Sequence, residues 1–141
     1  VYAGYDADGK HLGIAARAAS QGYAGMIYLL YGYDPACECI RGIQVLKMAE
    51  TPGLGDKIIK DANFRANFDA LDAQVEMNKM ALVNPIVTVK HGTKQHPWEI
   101  DAISGATISA KAVGKALNQS AQSLLPKLLP IMQQLREEAP K

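Results

Sequence analysis

Asp101-Ala102-Ile103-Ser104-Gly105-Ala106-Thr107-Ile108-Ser109 is a loop of small residues running straight into a helical pattern. From Thr107 onward, Ile108, Ala112, Ala116, Leu117, Ala121, Leu124 and Leu125 recur at helical spacing. Gly114 weakens that helix without breaking it. Pro126 and Pro130 are expected to divide its tail, with a second short helix running towards Glu138. Gly105 and Ala106 let a ligand approach the backbone closely. The first turn of the helix offers N–H groups and the positive end of a macrodipole, which together attract phosphate. Thr107 and Ser109 place hydroxyls at the same end. On local physics alone the plainer reading of that Ser and Thr is as N-caps, since most such loops merely start helices.

Upstream, the pattern is that of strands. Residues 1–6 and 11–18 flank Asp6-Ala7-Asp8-Gly9-Lys10, a hairpin signal. Residues 26–33 are rich in Ile, Leu and Tyr. Asp34-Pro35-Ala36 then turns, and 39–48 returns with apolar Ile43, Val45 and Met48. Residues 56–82 hold few β-branched residues, so short helices are expected there. Pro85-Ile86-Val87-Thr88-Val89-Lys90 reads as a strand and Trp98-Glu99-Ile100 as a brief one. The reading is one α+β domain over residues 1–141. An antiparallel sheet fills its N-terminal half, helices follow, and a long C-terminal helix comes after the Ser-Gly-Ala-Thr loop.

Composition narrows the function. The chain has 141 residues, 48% apolar and 21% charged, enough to bury a core without a disulfide scaffold or structural metal. Fifteen basic against fourteen acidic residues leave a net charge of +1. That balance gives no case for nucleic-acid binding, and no polybasic cluster addresses anionic lipid. The longest apolar run, residues 24–33, is about half the roughly 20 residues of a spanning helix. The chain opens at Val1 with no methionine and no charged-then-apolar leader, which leaves an upstream anchor open.

A second loop, Glu50-Thr51-Pro52-Gly53-Leu54-Gly55, has two glycines and a proline in six residues. Such a path can offer N–H and C=O groups to the polar edge of a planar ligand while Leu54 packs on its face. A plain strand-to-helix connection with a buried Leu54 fits equally well.

Glu50-Thr51-Pro52-Gly53-Leu54-Gly55-Asp56-Lys57-Ile58, followed by Ser104-Gly105-Ala106-Thr107, resembles the FMN-binding domain family. Its best-known members are the G subunit of the Rnf electron-transport complex and the C subunit of the sodium-pumping NADH:quinone reductase. Gly4-Tyr5-Asp6, Gly22-Tyr23-Ala24-Gly25 and the segment 40–46 fall in the family order, so the resemblance covers about residues 2–118. Residues 119–141 form a C-terminal helical tail. The resemblance implies that Thr107 carries FMN through a phosphoester. It also implies that a flavin transferase installs the cofactor and reads Asp101 as its recognition acid. The 50–55 loop would lie against the isoalloxazine, with Thr51 and the loop backbone as polar partners, and Tyr23 and Met26 would lie near its other side.

The short length and uninterrupted Gly-Asp-Lys-Ile favour the Rnf-like branch. The implied role is an electron-carrying component among the other subunits of a membrane redox complex, not a catalyst alone. Those family members face the periplasm or outer surface and carry an N-terminal membrane helix that this sequence lacks. A freestanding extracytoplasmic flavoprotein, or a module of a reductase, is the alternative. A non-redox module that binds metal through its cysteines is a further one.

Cys37-Glu38-Cys39 departs from the family's usual glycine-containing hairpin. With only two thiols and with His11, His91 and His96 scattered, it reads as a chance pair in a solvent-facing turn rather than a metal site or, with only Arg41 near, an electron-shuttling dithiol. None of the three histidines has a paired acid at an interpretable spacing. Trp98 is placed either beside the flavin or in the core. Residues 124–135 are expected to pack onto the domain.

Overall fold

The computed structural model describes residues 2–5, 7–8, 11–22, 24–49 and 56–138. Four strands follow one another as antiparallel hairpins: β1 (Tyr2–Tyr5), β2 (His11–Gln21), β3 (Met26–Asp34) and β4 (Cys39–Lys47). A fifth, β5 (Leu71–Asp72), completes the sheet in the order β1-β2-β3-β4-β5. Alternation dictates its faces. Ile14, Ala16, Ala18 and Ser20 of β2 are buried, as are Ile27, Leu29, Tyr31 and Tyr33 of β3. Met26 and Tyr28 lie on the other face and are exposed.

The long helix α3 (Thr107–Glu138) packs on the buried face. Ser120 Oγ donates to the Arg17 carbonyl at 3.1 Å. The Tyr31 hydroxyl therefore donates to Ser120 Oγ, at 2.7 Å. Leu117, Ala121, Leu125 and Met132 supply the helix's apolar stripe, and the small Ala16 and Ala18 sit beneath it.

Pro126 and Pro130 do not divide the tail: α3 runs through both as one helix. Each proline removes an intrahelical bond. The flanking side chains of Leu125 and Met132 are buried, so tertiary packing outweighs the local penalty. Gly114 has a structural reason as well. A Cβ there would collide with Thr88 Oγ1, so the glycine is what lets helix and strand close up.

The stretch expected to be helical is only partly so. α1 (Lys57–Lys60) and α2 (Ala62–Ala66) are short helices, but β5, β6 (Val75–Glu76) and β7 (Ala81–Leu82) are two-residue strands. Strands that short carry no legible alternation. β8 (Val87–Val89) and β9 (Glu99–Asp101) form where expected, and they pair in parallel. Asn118 and Gln122 of α3 reach out to this region, accepting from the Ile86 and Leu82 amides at 3.0 and 2.8 Å. No helix among the described residues is long and apolar enough to cross a membrane.

Candidate functional site

β9 ends at Asp101, and after five intervening residues α3 begins at Thr107. Gly105 has φ 83°, a left-handed conformation that residues with a Cβ rarely adopt. The Ala106 N–H donates to the Ile103 carbonyl, and the Ala106 carbonyl accepts from Ala110, both at 3.0 Å. Ala106 thus holds the cap position of α3, and its methyl offers no acceptor to the first turn. Ser104, Gly105 and Thr107 are exposed on one small shelf. The Thr107 hydroxyl makes one long contact, 3.4 Å, back to the Ile103 carbonyl. Ser109, by contrast, is buried.

Lys57 had no role of its own in the sequence reading. A Cβ placed on Gly105 would lie 3.7 Å from Lys57 Nζ. Lys57 is the second residue after Gly55, so it brings the end of one motif within a lysine side chain's reach of the other. Neighbouring Lys60 is occupied by Asp56, at 3.1 Å. Lys57, Lys60 and Ser104 line one cleft of about 330 Å³ with Asn63, His91 and Asp101. Ile108, counted above among the helix's apolar positions, is 53% exposed beside Thr107 and lies outside the core.

Asp101 is held on both carboxylate oxygens. Gly92 N–H donates to Oδ1 at 2.8 Å, and His91 Nδ1 lies 3.2 Å from Oδ2. His91 Nδ1 is also 3.0 Å from the Ala102 carbonyl, so that nitrogen carries the proton. His91 therefore has an acid partner, ten residues away, that sequence spacing did not disclose. Asn67, buried at the end of α2, clamps the Asp101 backbone. Its Oδ1 accepts from Asp101 N at 3.0 Å and its Nδ2 donates to Asp101 O at 3.2 Å. Glu99 accepts from the Gln95 and His96 amides at 2.7 and 2.9 Å. These bonds, the Gln95 amide foremost, hold its carboxyl below the usual range. The loop so fixed stacks His96 on half-buried Trp98, with ring centres 4.5 Å apart. It also walls a wider cleft of about 690 Å³ that contains Asn67, His91, Lys94 and Asp101.

Tyr23 and the whole loop Glu50-Thr51-Pro52-Gly53-Leu54-Gly55 lie outside the described residues. Met26 is 39% exposed at the start of β3, on the sheet face away from α3. The cysteines are not a chance pair: Cys37 and Cys39 are joined by a disulfide, and Cys39 is buried. Among the described residues no three His, Cys, Asp or Glu side chains gather to hold a metal.

A glycine-turned helix start with a lysine beside it is a setting that favours a negatively charged group, within an α+β domain. The chain belongs to the FMN-binding domain family, whose model matches residues 22–122, and FMN is its cofactor. It is 36% identical over 119 residues to the G subunit of the ion-translocating oxidoreductase complex of Methanosarcina acetivorans, covering 84% of this chain and 55% of that protein. It is also 36% identical over 123 residues to the G subunit of the Na+-translocating ferredoxin:NAD+ oxidoreductase complex of Acetobacterium woodii, covering 86% and 53%. The chain thus spans about half the length of these relatives. Its fold matches Shewanella oneidensis NqrC with a TM-score of 0.68 at 24% identity, over 95% of this chain and 59% of that one. The C subunit of the Na+-translocating NADH-quinone reductase from Parabacteroides distasonis gives a TM-score of 0.68 at 26% identity, over 86% and 58%.

Proposed function

We propose that this domain is an electron relay carrying FMN joined through a phosphoester to Thr107, within an Rnf-like ion-translocating oxidoreductase complex. The observation that carries the reading is the meeting of two distant motifs. Lys57 follows the glycine-rich loop and stands against Gly105, two residues from the exposed Thr107 hydroxyl. The residues fit the group. Gly105 opens the turn, the first turn of α3 favours a negative charge, and Lys57 adds a cation on the same side. FMN supplies reversible electron storage, and a phosphoester leaves its ring unmodified. The protein's own part is to hold the phosphate at Thr107 and to set the ring's surroundings. Residues 50–55, with Tyr23 and Met26, are the proposed ring neighbours.

In the same reading a flavin transferase recognises Asp101, and the domain works on the extracytoplasmic side, anchored by a helix outside this sequence. Its partners are the other subunits of the complex. The test is co-production with a flavin transferase in exported form. The product should fluoresce yellow on a denaturing gel, and Thr107→Ala should not, because no hydroxyl remains to accept the phosphoryl group. A fluorescent Thr107→Ala chain would move the attachment, and exposed Ser104 is then a better-placed hydroxyl than buried Ser109.

A further inference from the structure

Cys37 and Cys39, the chain's two cysteines, are joined to each other across Glu38. A bridge over one intervening residue removes little freedom from the unfolded chain, because that effect grows with loop length. It also ties no distant elements together, since Cys37 lies in the 35–38 turn and Cys39 opens β4. As a staple it does little. What it constrains is Glu38, which has φ 53°, in the left-handed region that favours glycine.

That conformation has a use. The Glu38 carbonyl accepts from the Ala73 amide at 3.0 Å, just beyond β5, while Cys39 pairs with Asp72 in the β4–β5 ladder. The Asp72 amide donates onward to the Pro97 carbonyl at 3.0 Å. Pro97 belongs to the wall of the wider cleft that holds His91 and Asp101. The small ring therefore sits at the root of a short chain of bonds. That chain fixes the sheet's edge strand and then the loop beyond it.

We propose that Cys37–Cys39 is a thiol–disulfide exchange site served by a dithiol reductant, and that its redox state sets how firmly β5 is held. A thiolate of the reductant attacks Sγ of Cys37, the less buried of the two residues. The S–S bond breaks, Cys39 leaves as a thiolate and takes up a proton. The reductant's second thiol then attacks its own sulfur in the mixed disulfide and releases Cys37 as a thiol. Two electrons and two protons pass to the protein, and the reductant leaves as a disulfide. With the ring open, Glu38 can relax to negative φ, and its carbonyl turns away from Ala73.

The 141-residue chain, folded and without denaturant, is equilibrated with dithiothreitol. Its free thiols are alkylated and counted by mass spectrometry, and amide exchange is followed in parallel. Both cysteines should become alkylated while the Leu29 amide in the core stays protected. Exchange at the Ala73 amide should rise at least about ten-fold. Cys37→Ser should show the same acceleration at Ala73 with no reductant present. A bridge that stays closed until the protein is unfolded would overturn the proposal. So would an Ala73 amide that responds neither to reduction nor to Cys37→Ser.

Discussion

Lys57 Nζ stands 3.7 Å from the point that a Cβ on Gly105 would occupy, and no ion pair or hydrogen bond engages it among the described residues. An unpaired ammonium beside a helix start is a standing counter-charge for a phosphate. Lys57 is half-exposed, so the pair is worth only about 0.2–1 kcal/mol. Lys57→Ala should therefore weaken non-covalent FMN binding by the apo chain by at most about five-fold. The difference should shrink as salt is raised, because screening acts on the charge term alone. Lys57→Arg should bind like wild type. A flavin-fluorescence titration at low and high salt checks this, and a salt-independent loss would assign Lys57 to packing.

Asp101 separates charge from geometry. Its Oδ1 serves the Gly92 amide and its Oδ2 faces His91. Asp101→Asn keeps an acceptor for Gly92 but gives up the one facing His91, so it should cost less stability than Asp101→Ala. Asp101→Ala loses both and should cost about 0.5–1.5 kcal/mol by thermal or denaturant unfolding. If the transferase reads the negative charge, both variants should lose flavin incorporation despite their different stabilities. Wild-type incorporation in Asp101→Asn would mean that the residue serves only to shape the 91–92 turn.

Gly114 tests the helix–strand contact. Alanine has the higher helix propensity by about 1 kcal/mol, so a free helix would gain from Gly114→Ala. Here the new methyl would meet Thr88 Oγ1, with Thr88 Cβ and Ile100 Cδ1 at 3.3 and 3.4 Å. The substitution should destabilise the protein by roughly 1–3 kcal/mol. Thr88→Ala removes the colliding oxygen, so the double variant should recover part of the loss. Strict additivity of the two changes in chemical denaturation would mean that the elements can separate at no cost.

The four long strands and the start of α3 were legible because each rests on a local signal. Asp34-Pro35-Ala36 turns the chain, and Thr107 follows a run of small residues. Pro126 and Pro130 misled for the converse reason. Their penalty is local, whereas the burial of Leu125 and Met132 that offsets it is not. Strands β5 to β7 have two residues each and leave no periodicity to read. At the site, Thr107 and Asp101 came from a motif. Lys57, Asn67 and His91 act through partners 10 to 48 residues away, which spacing does not show. The disulfide was missed because a Cys-Glu-Cys triplet looks the same whether or not its sulfurs are joined.

Tyr33 carries a buried hydroxyl with no hydrogen-bond partner among the described residues. Burial, then the negative charges of Glu38, Asp72 and Asp34, push its pKa well above the usual tyrosine value. Two consequences follow for Tyr33→Phe. At neutral pH it removes an unsatisfied polar atom, so stability should rise by about 1 kcal/mol. In alkali the sign comes from linkage. Unfolded Tyr33 releases its proton near pH 10 while folded Tyr33 keeps it, so the unfolded state binds fewer protons. The stability owed to the neutral phenol is fully present below pH 10 and falls as pH rises towards the folded value. The slope is about 1.4 kcal/mol per pH unit. Tyr31, raised chiefly by burial, adds a slope of the same sign in both proteins. Urea unfolding of wild type and Tyr33→Phe between pH 7 and 11 should therefore show a gap that is constant up to about pH 10 and widens above it. Parallel curves over the whole range would mean that the Tyr33 hydroxyl meets water in the folded protein.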